Sequence, residues 1–481
     1  MGLLTVNEIA EMMDGTVIDG DPCITIGDYS LSSKEGDSET LFLPVVGERV
    51  DAHNFIADAR SHGMIATTTE RNRVEEDTEG MTYIAVDNTL AALQRLGSRY
   101  RKCFDVKCVG ITGSVGKTST KEMIASALYP SFKLVKTEGN KNGQYGVPIM
   151  VMRLNEETEC LVLEMGVSII GEMEKIAAVA QPKTAIVTNI GYSHVGNFGS
   201  REKTRREKLG IVNNMDEDGV LFLNGDDELL AELAPGSPNQ KDISEIELYD
   251  ETLEILGKIR RYSYGFSDWC DFKAENVVVK EDGSEFDYIS KTMTKHIVLN
   301  VPGKHNVLNA VAAMAIAEVN GSDTEKAADG LSAYTQPSMR GNVEWLGSGI
   351  CLIDDSYNAS PDSVKSGLNI LAGINNEGRK IAVLGDMLEL GDYSEECHRL
   401  VGQSFIESGA DILVAIGKES KATADEVTNK GQAEVYYYED REEAEKFLLD
   451  EIKAGDCIIC KGSRGMKLDE TVKLIREKFK E

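Results

Sequence analysis

Short apolar runs alternate along the chain with stretches in which apolar residues recur every three or four positions. The runs are typical of buried strands, and the longer spacing is typical of amphipathic helices. Regular alternation of the two predicts an α/β fold with mainly parallel sheets and helices on both faces. The predicted strands are residues 40–46, 63–67, 81–86, 106–112, 160–164, 184–189, 219–223, 296–301, 350–354, 381–384, 412–416, 434–438 and 456–460. The predicted helices are residues 54–59, 89–100, 117–129, 306–319, 362–371, 394–408, 421–430, 441–453 and 467–479.

This pattern changes twice and divides the chain into three predicted domains. Residues 1–85 combine short strands with one short helix, which predicts a small α/β domain. Residues 86–333 carry longer strand–helix units, interrupted at 238–300 by a more polar stretch that we expect to be β-structure. The alternation then restarts, so residues 334–481 predict a second doubly wound α/β domain.

The charge balance narrows the class of partner. The 481 residues include 51 Lys and Arg against 81 Asp and Glu, a formal net charge of −30. Such acidity disfavours nucleic acids and anionic membrane surfaces, both of which bind basic patches. The sequence has no run of about 18 apolar residues, so we expect no membrane span. Nine scattered Cys and the lack of a secretory leader pattern favour a cytoplasmic protein, which we expect to be a monomer that binds small molecules.

The clearest motif is a glycine-rich loop, Gly113-Ser114-Val115-Gly116-Lys117-Thr118-Ser119-Thr120. It follows a predicted strand and begins a predicted helix, the context in which backbone N–H groups and a helix N-terminus hold phosphates. Lys117 would reach the terminal phosphates as a point charge, and Thr118 would bind Mg²⁺ through its hydroxyl. One departure is Ile111, which stands where such loops usually have glycine. The motif predicts a nucleotide-binding site.

Two polar residues that follow predicted strands are further candidates. Glu164 ends a strand where open α/β sheets bind their ligands, so it is either a Mg²⁺ ligand or a solvated carboxylate. His194 lies in a loop at the same edge and, taken alone, is interpreted as an ordinary loop histidine.

Two other patterns favour a structural interpretation. One predicted helix carries four basic residues, which are interpreted as a charged, solvated face: Lys203, Arg205, Arg206 and Lys208. Cys457 and Cys460 form a CxxC inside a predicted strand, which favours burial in a sheet over a redox or zinc site.

Two polar loops in the last third of the chain are harder to explain by structure alone. The loop Asp354-Asp355-Ser356-Tyr357-Asn358-Ala359-Ser360-Pro361 places two adjacent carboxylates at a strand end, more than capping of the next helix needs. The loop Lys461-Gly462-Ser463-Arg464-Gly465 follows the last strand and is either an anion-binding turn or a tight strand–helix turn.

Further strings extend over nearly the whole chain. They are Gly139-Asn140, Gly146-Val147-Pro148, Glu164-Met165-Gly166, Phe198-Gly199-Ser200, Pro302-Gly303-Lys304-His305-Asn306-Val307-Leu308-Asn309-Ala310 and Val383-Leu384-Gly385-Asp386-Met387-Leu388-Glu389-Leu390-Gly391. With the loops above, they resemble the Mur ligase family, and the last string resembles the members that join D-Ala-D-Ala to UDP-MurNAc-tripeptide. The resemblance implies an N-terminal domain for the UDP substrate, a central ATPase domain and a Rossmann-like C-terminal domain. It also implies a reaction in which ATP converts a carboxylate to an acyl phosphate, which the amine then attacks.

The resemblance further implies roles for individual residues. For ATP it implies Gly113, Ser114, Val115, Gly116, Lys117, Thr118, Ser119, His305, Asn306, Asn309, Arg340 and Asp355. For two Mg²⁺ ions it implies Thr118, Glu164, His194 and, as a carbamate, Lys208. For catalysis it implies Lys117, His194, Lys208 and Arg340. Because Arg340 would reach the γ-phosphate from the C-terminal domain, the site would form only when the domains close.

The resemblance is weaker at the substrate end. Where the family has Asp-Ser/Thr-Arg, this chain has Ser32-Ser33-Lys34, which lacks the planar fork of an arginine. In the stretch that begins at Gly139-Asn140, the family's Asn pair becomes Asn142-Gly143. The nearby strings Gly47-Glu48-Arg49 and Asp51-Ala52-His53 do match the family. We therefore expect five residues on the substrate side: Ser32, Ser33, Lys34, Asn140 and Asn142.

Two alternative functions stay open from the sequence. An enzyme with the same chemistry could join a different carboxylate and amine, which Ser32 and Lys34 motivate. A P-loop NTPase acting as a switch or binding module would need the glycine-rich loop but not the other candidate residues together. A Rossmann dehydrogenase is excluded, because no G-x-G-x-x-G follows a strand with an acidic residue further on.

Overall fold

Three large sheets organise the protein, in a computed structural model that describes residues 3–47, 50–73, 80–431 and 433–480. Glu48 and Arg49, which match the family in sequence, lie outside these described residues. Most strand pairs in the sheets are parallel, as expected when helices connect successive strands. The predicted mixed α/β class is confirmed. Among the described residues, no helix combines the length and apolar character needed to cross a bilayer.

The N-terminal sheet has five strands. The strands of this region are β1 Leu4–Thr5, β2 Thr16–Asp19, β3 Thr25–Ile26, β4 Asp28–Ser30, β5 Thr40–Phe42, β6 Ala66–Glu70 and β7 Thr82–Val86, and its helices are α1 Val6–Met13, α2 Ile56–Ser61 and α3 Thr89–Arg101. The sheet order is β2–β7–β6–β5–β4, with only β2 antiparallel, while β1 pairs separately with β3. The run predicted at 63–67 is displaced to β6, where all five residues are buried.

The central sheet has nine strands and holds the glycine-rich loop. Its strands are β8 Lys107–Thr112, β9 Leu134–Lys136, β10 Cys160–Glu164, β11 Thr184–Val187, β12 Val220–Asn224, β13 Arg260–Gly265, β14 Phe272–Val279, β15 Ser284–Ile289 and β16 Thr294–Leu299. The helices are α4 Lys117–Leu128, α5 Gly146–Val151, α6 Glu172–Ala180, α7 Val195–Phe198, α8 Arg201–Leu209, α9 Glu228–Ala231, α10 Asp250–Leu256, α11 Lys304–Val319 and α12 Thr324–Ser332.

The order of the central sheet explains where its polar loops meet. The order is β16–β15–β14–β13–β12–β11–β8–β10–β9, and strands β8 to β13 run parallel. Their carboxyl ends therefore lie along one edge, where open α/β sheets bind ligands. The expectation of β-structure across 238–300 is wrong at its start. Residues 250–256 form α10, because two acidic residues favour its N-terminus and Thr252 and Leu256 are buried on one face.

The C-terminal sheet has six strands. They are β17 Asn342–Trp345, β18 Cys351–Asp354, β19 Lys380–Gly385, β20 Ile412–Ile416, β21 Glu434–Tyr438 and β22 Cys457–Lys461, and the helices are α13 Pro361–Gly373, α14 Ser394–Ser408, α15 Lys421–Lys430, α16 Arg441–Glu451 and α17 Leu468–Phe479. The order is β17–β18–β22–β19–β20–β21, parallel except at β17. Cys457 and Cys460 are fully buried in β22, which confirms the structural interpretation of the CxxC.

The apolar cores connect the three sheets unequally. One buried cluster runs from the N-terminal into the central region and includes Ile9, Leu93, Leu96 and Ile176. The C-terminal region has its own clusters on the two faces of its sheet. The central residue Val195 packs into one of them, so the C-terminal region docks on the central region at a defined point.

Candidate active site

The glycine-rich loop connects β8 to α4 and requires glycine at two positions. Gly113 and Gly116 have φ values of 146° and 83°, which favour glycine. A Cβ on Gly113 would also lie 1.9 Å from Thr188 Oγ1. Lys117 Nζ lies 2.7 Å from the carbonyl oxygen of Gly113. The loop thus holds the Lys117 ammonium over its own backbone at the start of α4.

A cavity of about 550 Å³ lies between the central and C-terminal sheets. Thirteen of the predicted residues line it: Ser114, Val115, Gly116, Lys117, Thr118, Ser119, Asn142, Glu164, His194, His305, Asn309, Arg340 and Asp355. These residues come from distant parts of the chain, so the fold brings most of the site residues indicated by the sequence motifs to one cavity.

Glu164 is not a solvated strand-end carboxylate. Its residue is 3% exposed, and its Oε1 accepts a hydrogen bond of 2.8 Å from Asn142 Nδ2. Its backbone N–H donates to Thr137 Oγ1. The other carboxylate oxygen, Oε2, is buried with no hydrogen-bond partner in the described residues. Because a buried carboxylate oxygen needs a partner, Oε2 is suited to a cation, and Asn142 orients the group.

The interpretation of α8 as a solvated basic face is wrong for Lys208 and Arg205. Lys208 is fully buried, and its Nζ has no hydrogen-bond partner in the described residues. Arg205 is 4% exposed and pairs with Glu232 at 2.6 Å. Arg205 and Lys208 are three residues apart and therefore lie on the same face of α8. That face packs inward, whereas Lys203 is exposed.

The half-buried Lys117 lies close enough to the buried Lys208 for their charges to interact. Burial lowers the pKa of Lys208 far below its ordinary value, and the charge of Lys117 lowers it further. Burial also lowers the pKa of Lys117, although the Glu164 carboxylate opposes that shift. The Lys208 amine is therefore held toward its neutral form.

His194 contacts a carboxylate of the C-terminal region. Its φ of 60° lies in the left-handed region, and its Nδ1 contacts Glu389, which lies in the loop after β19. His194 Nδ1 and the Glu389 carboxylate lie within ion-pair distance. The contact does not have the geometry of a hydrogen bond, and Nδ1 has no other hydrogen-bond partner in the described residues. His194 lowers the pKa of Glu389 below its ordinary value. The interpretation as an ordinary loop histidine does not account for this contact.

Arg340 reaches the glycine-rich loop from the start of the C-terminal region. Its Nη2 donates to Thr118 Oγ1 at 3.2 Å, and its guanidinium lies 4.0 Å from the centre of the Tyr357 ring.

Asp355 Oδ2 lies 2.7 Å from Lys461 Nζ. Burial raises the pKa of Asp355 and lowers that of Lys461, while their ion pair opposes both shifts.

The start of α11 contributes to the cavity only in part. Asn309 Oδ1 accepts a hydrogen bond of 3.0 Å from Thr120 Oγ1, which ties α11 to α4. Burial lowers the pKa of His305 to about 4, so its ring is neutral at pH 7. Asn306 is 1% exposed, and its Nδ2 donates to the carbonyl oxygen of Pro302. Its Oδ1 is buried with no hydrogen-bond partner among the described residues, and Asn306 is not one of the residues that line this cavity.

The residues expected on the substrate side are not brought together. Ser32, Ser33 and Lys34 follow β4 in the N-terminal region and do not line the cavity. Ser33 Oγ donates to Asp58 Oδ2 at 2.6 Å. Asn140 is exposed, so of this group only Asn142 lies at the cavity. The N-terminal region thus lies apart from the glycine-rich loop.

Several residues that line the cavity lie outside the motifs recognised in the sequence. Asn224 and Tyr264 lie near the ends of β12 and β13, and Gln144 and Glu172 hydrogen-bond each other at 2.9 Å. Asn224 directly follows the predicted strand 219–223, whereas no strand was predicted at Tyr264, and which strands lie side by side is not readable from the sequence. Gln144 and Glu172 carried no recognisable signal.

Two family models match the chain. The Mur ligase middle domain matches residues 111–317, and the Mur ligase glutamate ligase domain matches residues 341–464. Among curated relatives, the UDP-N-acetylmuramoyl-tripeptide–D-alanyl-D-alanine ligase of Bacillus subtilis is 35% identical over 98% of this chain and 97% of its own length. The ligase of the same name from Escherichia coli is 29% identical over 98% of each chain.

Solved structures show the same architecture. A crystal structure of MurF from Acinetobacter baumannii covers 99% of both chains, with a TM-score of 0.86 and 27% identity. The MurF ligase of Thermotoga maritima, solved in complex with ADP, covers 94% of this chain and 97% of its own, with a TM-score of 0.77 and 24% identity. The chain therefore belongs to the Mur ligase family, as its motifs predicted.

Proposed function

We propose that the protein is an ATP-dependent amide ligase that adds D-Ala-D-Ala to UDP-MurNAc-tripeptide in peptidoglycan precursor synthesis. The observation that carries this proposal is the 35% identity, over 98% of the chain, to a ligase of that name. The cavity supports it, because phosphate-binding, carboxylate and arginine groups from two regions of the chain meet there.

The reaction has two steps. The terminal carboxylate of the tripeptide attacks the γ-phosphorus of ATP, which forms an acyl phosphate and releases ADP. The amine of D-Ala-D-Ala then attacks the acyl carbon, the C–O bond to phosphate breaks, and the amine loses a proton as the amide forms. Lys117 and Arg340 approach the same loop from its two sides. They would neutralise the charge on the phosphoryl group as it is transferred.

The cavity also fits Mg²⁺. Within the described residues, no group of three or more His, Cys, Asp and Glu forms a dedicated metal cage. Mg²⁺ is usually held by one or two carboxylates together with substrate phosphates. The unpartnered Oε2 of Glu164 suits this mode, and the Thr118 hydroxyl and His194 line the same cavity. Bound there, Mg²⁺ would offset the charge of the phosphate oxygens.

Lys208 fits a carbamate better than a free ammonium. A buried cation with no partner is strongly disfavoured, and the Lys208 Nζ has neither a hydrogen bond nor an ion pair among the described residues. The neutral amine, which its lowered pKa favours, is the form that reacts with CO₂. The product would be an anion beside Lys117, able to bind metal.

We expect ¹³C-bicarbonate to give a carbamate NMR signal that Lys208→Met removes. The same substitution should lower turnover by about 100-fold or more, the scale of losing one preorganised group at a reaction centre. Lys121→Met is the matched control. Lys121 is also buried, but it donates to the Thr137 carbonyl oxygen and pairs with Glu122. A signal that persists in Lys208→Met, or disappears in Lys121→Met, would contradict the assignment.

The remaining assignments follow from the same proposal. We propose domain boundaries near residues 86 and 334, since the three large sheets span residues 16–86, 107–299 and 342–461. The N-terminal domain would hold the UDP end of the substrate, and Ser32, Ser33 and Lys34 would lie on that side. All nine Cys lie in the described residues as free thiols, which favours a reducing compartment such as the cytoplasm. We propose that the protein acts there as a monomer.

The direct test is product formation. With Mg²⁺-ATP, UDP-MurNAc-tripeptide and D-Ala-D-Ala, we expect one phosphate to be released for each pentapeptide formed. Phosphate release would be measured directly, and the pentapeptide product would be detected by mass spectrometry. Substrates with diaminopimelate or lysine at the third position should be compared side by side. ATP turnover with a different amine, and none with D-Ala-D-Ala, would retain the ligase chemistry and reject this substrate. ATP hydrolysis without any amide product would reject the ligase function.

A further inference from the structure

The loop after β19 docks on the short helix α7 with its backbone as well as its side chains. The backbone N–H of Gly196 donates to the carbonyl oxygen of Glu389 at 3.2 Å. A Cβ on Gly196 would lie 2.6 Å from the backbone nitrogen of Gly391. Tyr393 donates its hydroxyl hydrogen to the carbonyl oxygen of Gly199 at 3.2 Å. Glycine at residue 196 allows α7 and this loop to approach each other this closely.

This loop is held rigidly within the C-terminal domain. The Met387 N–H donates to His398 Nε2 at 3.1 Å, and the Leu388 N–H donates to Ser463 Oγ at 2.9 Å. Met387 and Leu390 are buried in the same apolar cluster as Val195 of α7. The position of Glu389 is therefore set by the C-terminal domain, while the position of His194 is set by the central domain.

The two residues that meet across this contact both have left-handed backbones. The φ value is 60° at His194 and 64° at Glu389, and neither is glycine. Such conformations are unfavourable for most residues and persist where the surrounding structure enforces them, often at functional sites. Here they direct an imidazole and a carboxylate at each other across a domain interface.

The contact decides which ring nitrogen of His194 remains for a ligand. Nδ1 is buried against Glu389, whereas the side chain as a whole is 22% exposed and lines the cavity. The Nε2 edge is thus the part of the ring left facing the cavity. Histidines that bind metal usually donate their other ring N–H to a carboxylate, which fixes the ring orientation and the tautomer.

We propose that Glu389 is a positioning residue that orients His194 for metal binding, so that docking of the C-terminal domain completes the metal site. The same docking delivers Arg340 to the glycine-rich loop. Closure would then couple two requirements of phosphoryl transfer, the bound metal and the arginine. This inference rests on the proposed function, because it takes His194 as a metal ligand.

The test measures metal affinity without turnover. Mn²⁺ would be titrated into the full chain with a non-hydrolysable ATP analogue and followed by EPR. We expect Glu389→Ala to weaken the affinity for the Mn²⁺ ion that His194 binds by about 10–100-fold. This is the usual cost of removing a residue that orients a metal ligand. Glu389→Gln should lose less, since its amide oxygen can still lie against His194 Nδ1. Asp392→Asn, an exposed carboxylate in the same loop, is the matched control and should bind Mn²⁺ like the unaltered protein.

A double-mutant cycle separates positioning from a general structural effect. In a His194→Ala background, Glu389→Ala should cost no further Mn²⁺ affinity, because its effect acts through that ring. Equal losses with and without His194, or unchanged affinity in Glu389→Ala, would overturn the proposal. The titration uses neither the tripeptide nor D-Ala-D-Ala, so it can fail while ligation succeeds. If the Mn²⁺ pattern holds and no pentapeptide forms, the proposed substrate falls and the positioning role stands.

Discussion

Lys117→Ala should lower the turnover of ATP-dependent ligation by about 10³-fold or more, the scale of removing a cation from a transferring phosphoryl group. The Lys117 ammonium lies over the glycine-rich loop, 2.7 Å from the Gly113 carbonyl oxygen. Lys461 also lines the cavity, but its ammonium pairs with Asp355 at 2.7 Å. The measurement is phosphate release at saturating ATP, compared with the unaltered protein.

The loss should be chemical rather than structural. Lys117 makes hydrogen bonds only to its own loop among the described residues, and its charge disfavours protonation of the neighbouring Lys208. We therefore expect Lys117→Ala to stay folded, with a melting temperature close to that of the unaltered protein. Lys133→Ala, at an exposed surface lysine, is the control and should keep full turnover. Turnover retained in Lys117→Ala would remove the glycine-rich loop from the mechanism.

Arg340→Ala should have the second large effect, a fall in kcat of about 10³–10⁵-fold, as for arginines that stabilise transferring phosphoryl groups. Among the described residues, Arg340 hydrogen-bonds to the loop through Thr118, and its guanidinium lies over the Tyr357 ring. Because it approaches from the C-terminal domain, its contribution should fall on the transition state more than on ATP binding. Steady-state kinetics should show a lower kcat with a KM for ATP changed much less.

Two further variants test whether the effect is specific to the Arg340 guanidinium. Arg340→Lys keeps the charge but loses the planar fork and the stacking on Tyr357, so we expect partial recovery rather than full activity. Arg399→Ala changes an arginine of the same domain whose side chain is 41% exposed and pairs with Glu395 on its own helix, and it should leave kcat unchanged. A loss in Arg340→Ala confined to the KM for ATP would make Arg340 a binding residue instead.

Local motifs allowed much of the site to be predicted from the sequence. The glycine-rich loop is encoded in consecutive residues between one strand and one helix, and Glu164 ends an apolar run, so both could be located without a tertiary structure. Strand–helix alternation likewise predicted the α/β class, and several elements, such as β10, α14 and β20, match their predicted bounds.

Other features depend on contacts between distant segments. The burial of Lys208 and Arg205 depends on which face of α8 packs inward, and a helix with charges on all sides gives no apolar stripe to indicate this. The contact of His194 with Glu389 joins two domains, and neither loop shows it alone. Asn306 matched a family string, yet it is not among the residues that line the cavity, and its Nδ2 donates to the carbonyl oxygen of Pro302.

The acidic composition does not conflict with phosphate binding. The net charge of −30 belongs to the whole molecule, whereas Lys117, Arg340 and Lys461 line the cavity itself. Glu164 would favour the phosphates indirectly, through the metal that its free oxygen can bind. Net charge therefore indicates solubility and the absence of a basic binding surface more than it indicates the chemistry of the site.

Transfer of ¹⁸O from the substrate carboxylate to phosphate is the signature of an acyl-phosphate intermediate. UDP-MurNAc-tripeptide labelled with ¹⁸O in its terminal carboxylate would be incubated with the protein, Mg²⁺-ATP and D-Ala-D-Ala. An acyl-phosphate mechanism predicts that each pentapeptide formed is matched by one inorganic phosphate carrying a single ¹⁸O, because the carboxylate oxygen leaves with the phosphate. Pentapeptide formed together with unlabelled phosphate would exclude the acyl phosphate, and unlabelled phosphate with ADP but no pentapeptide would exclude ligation.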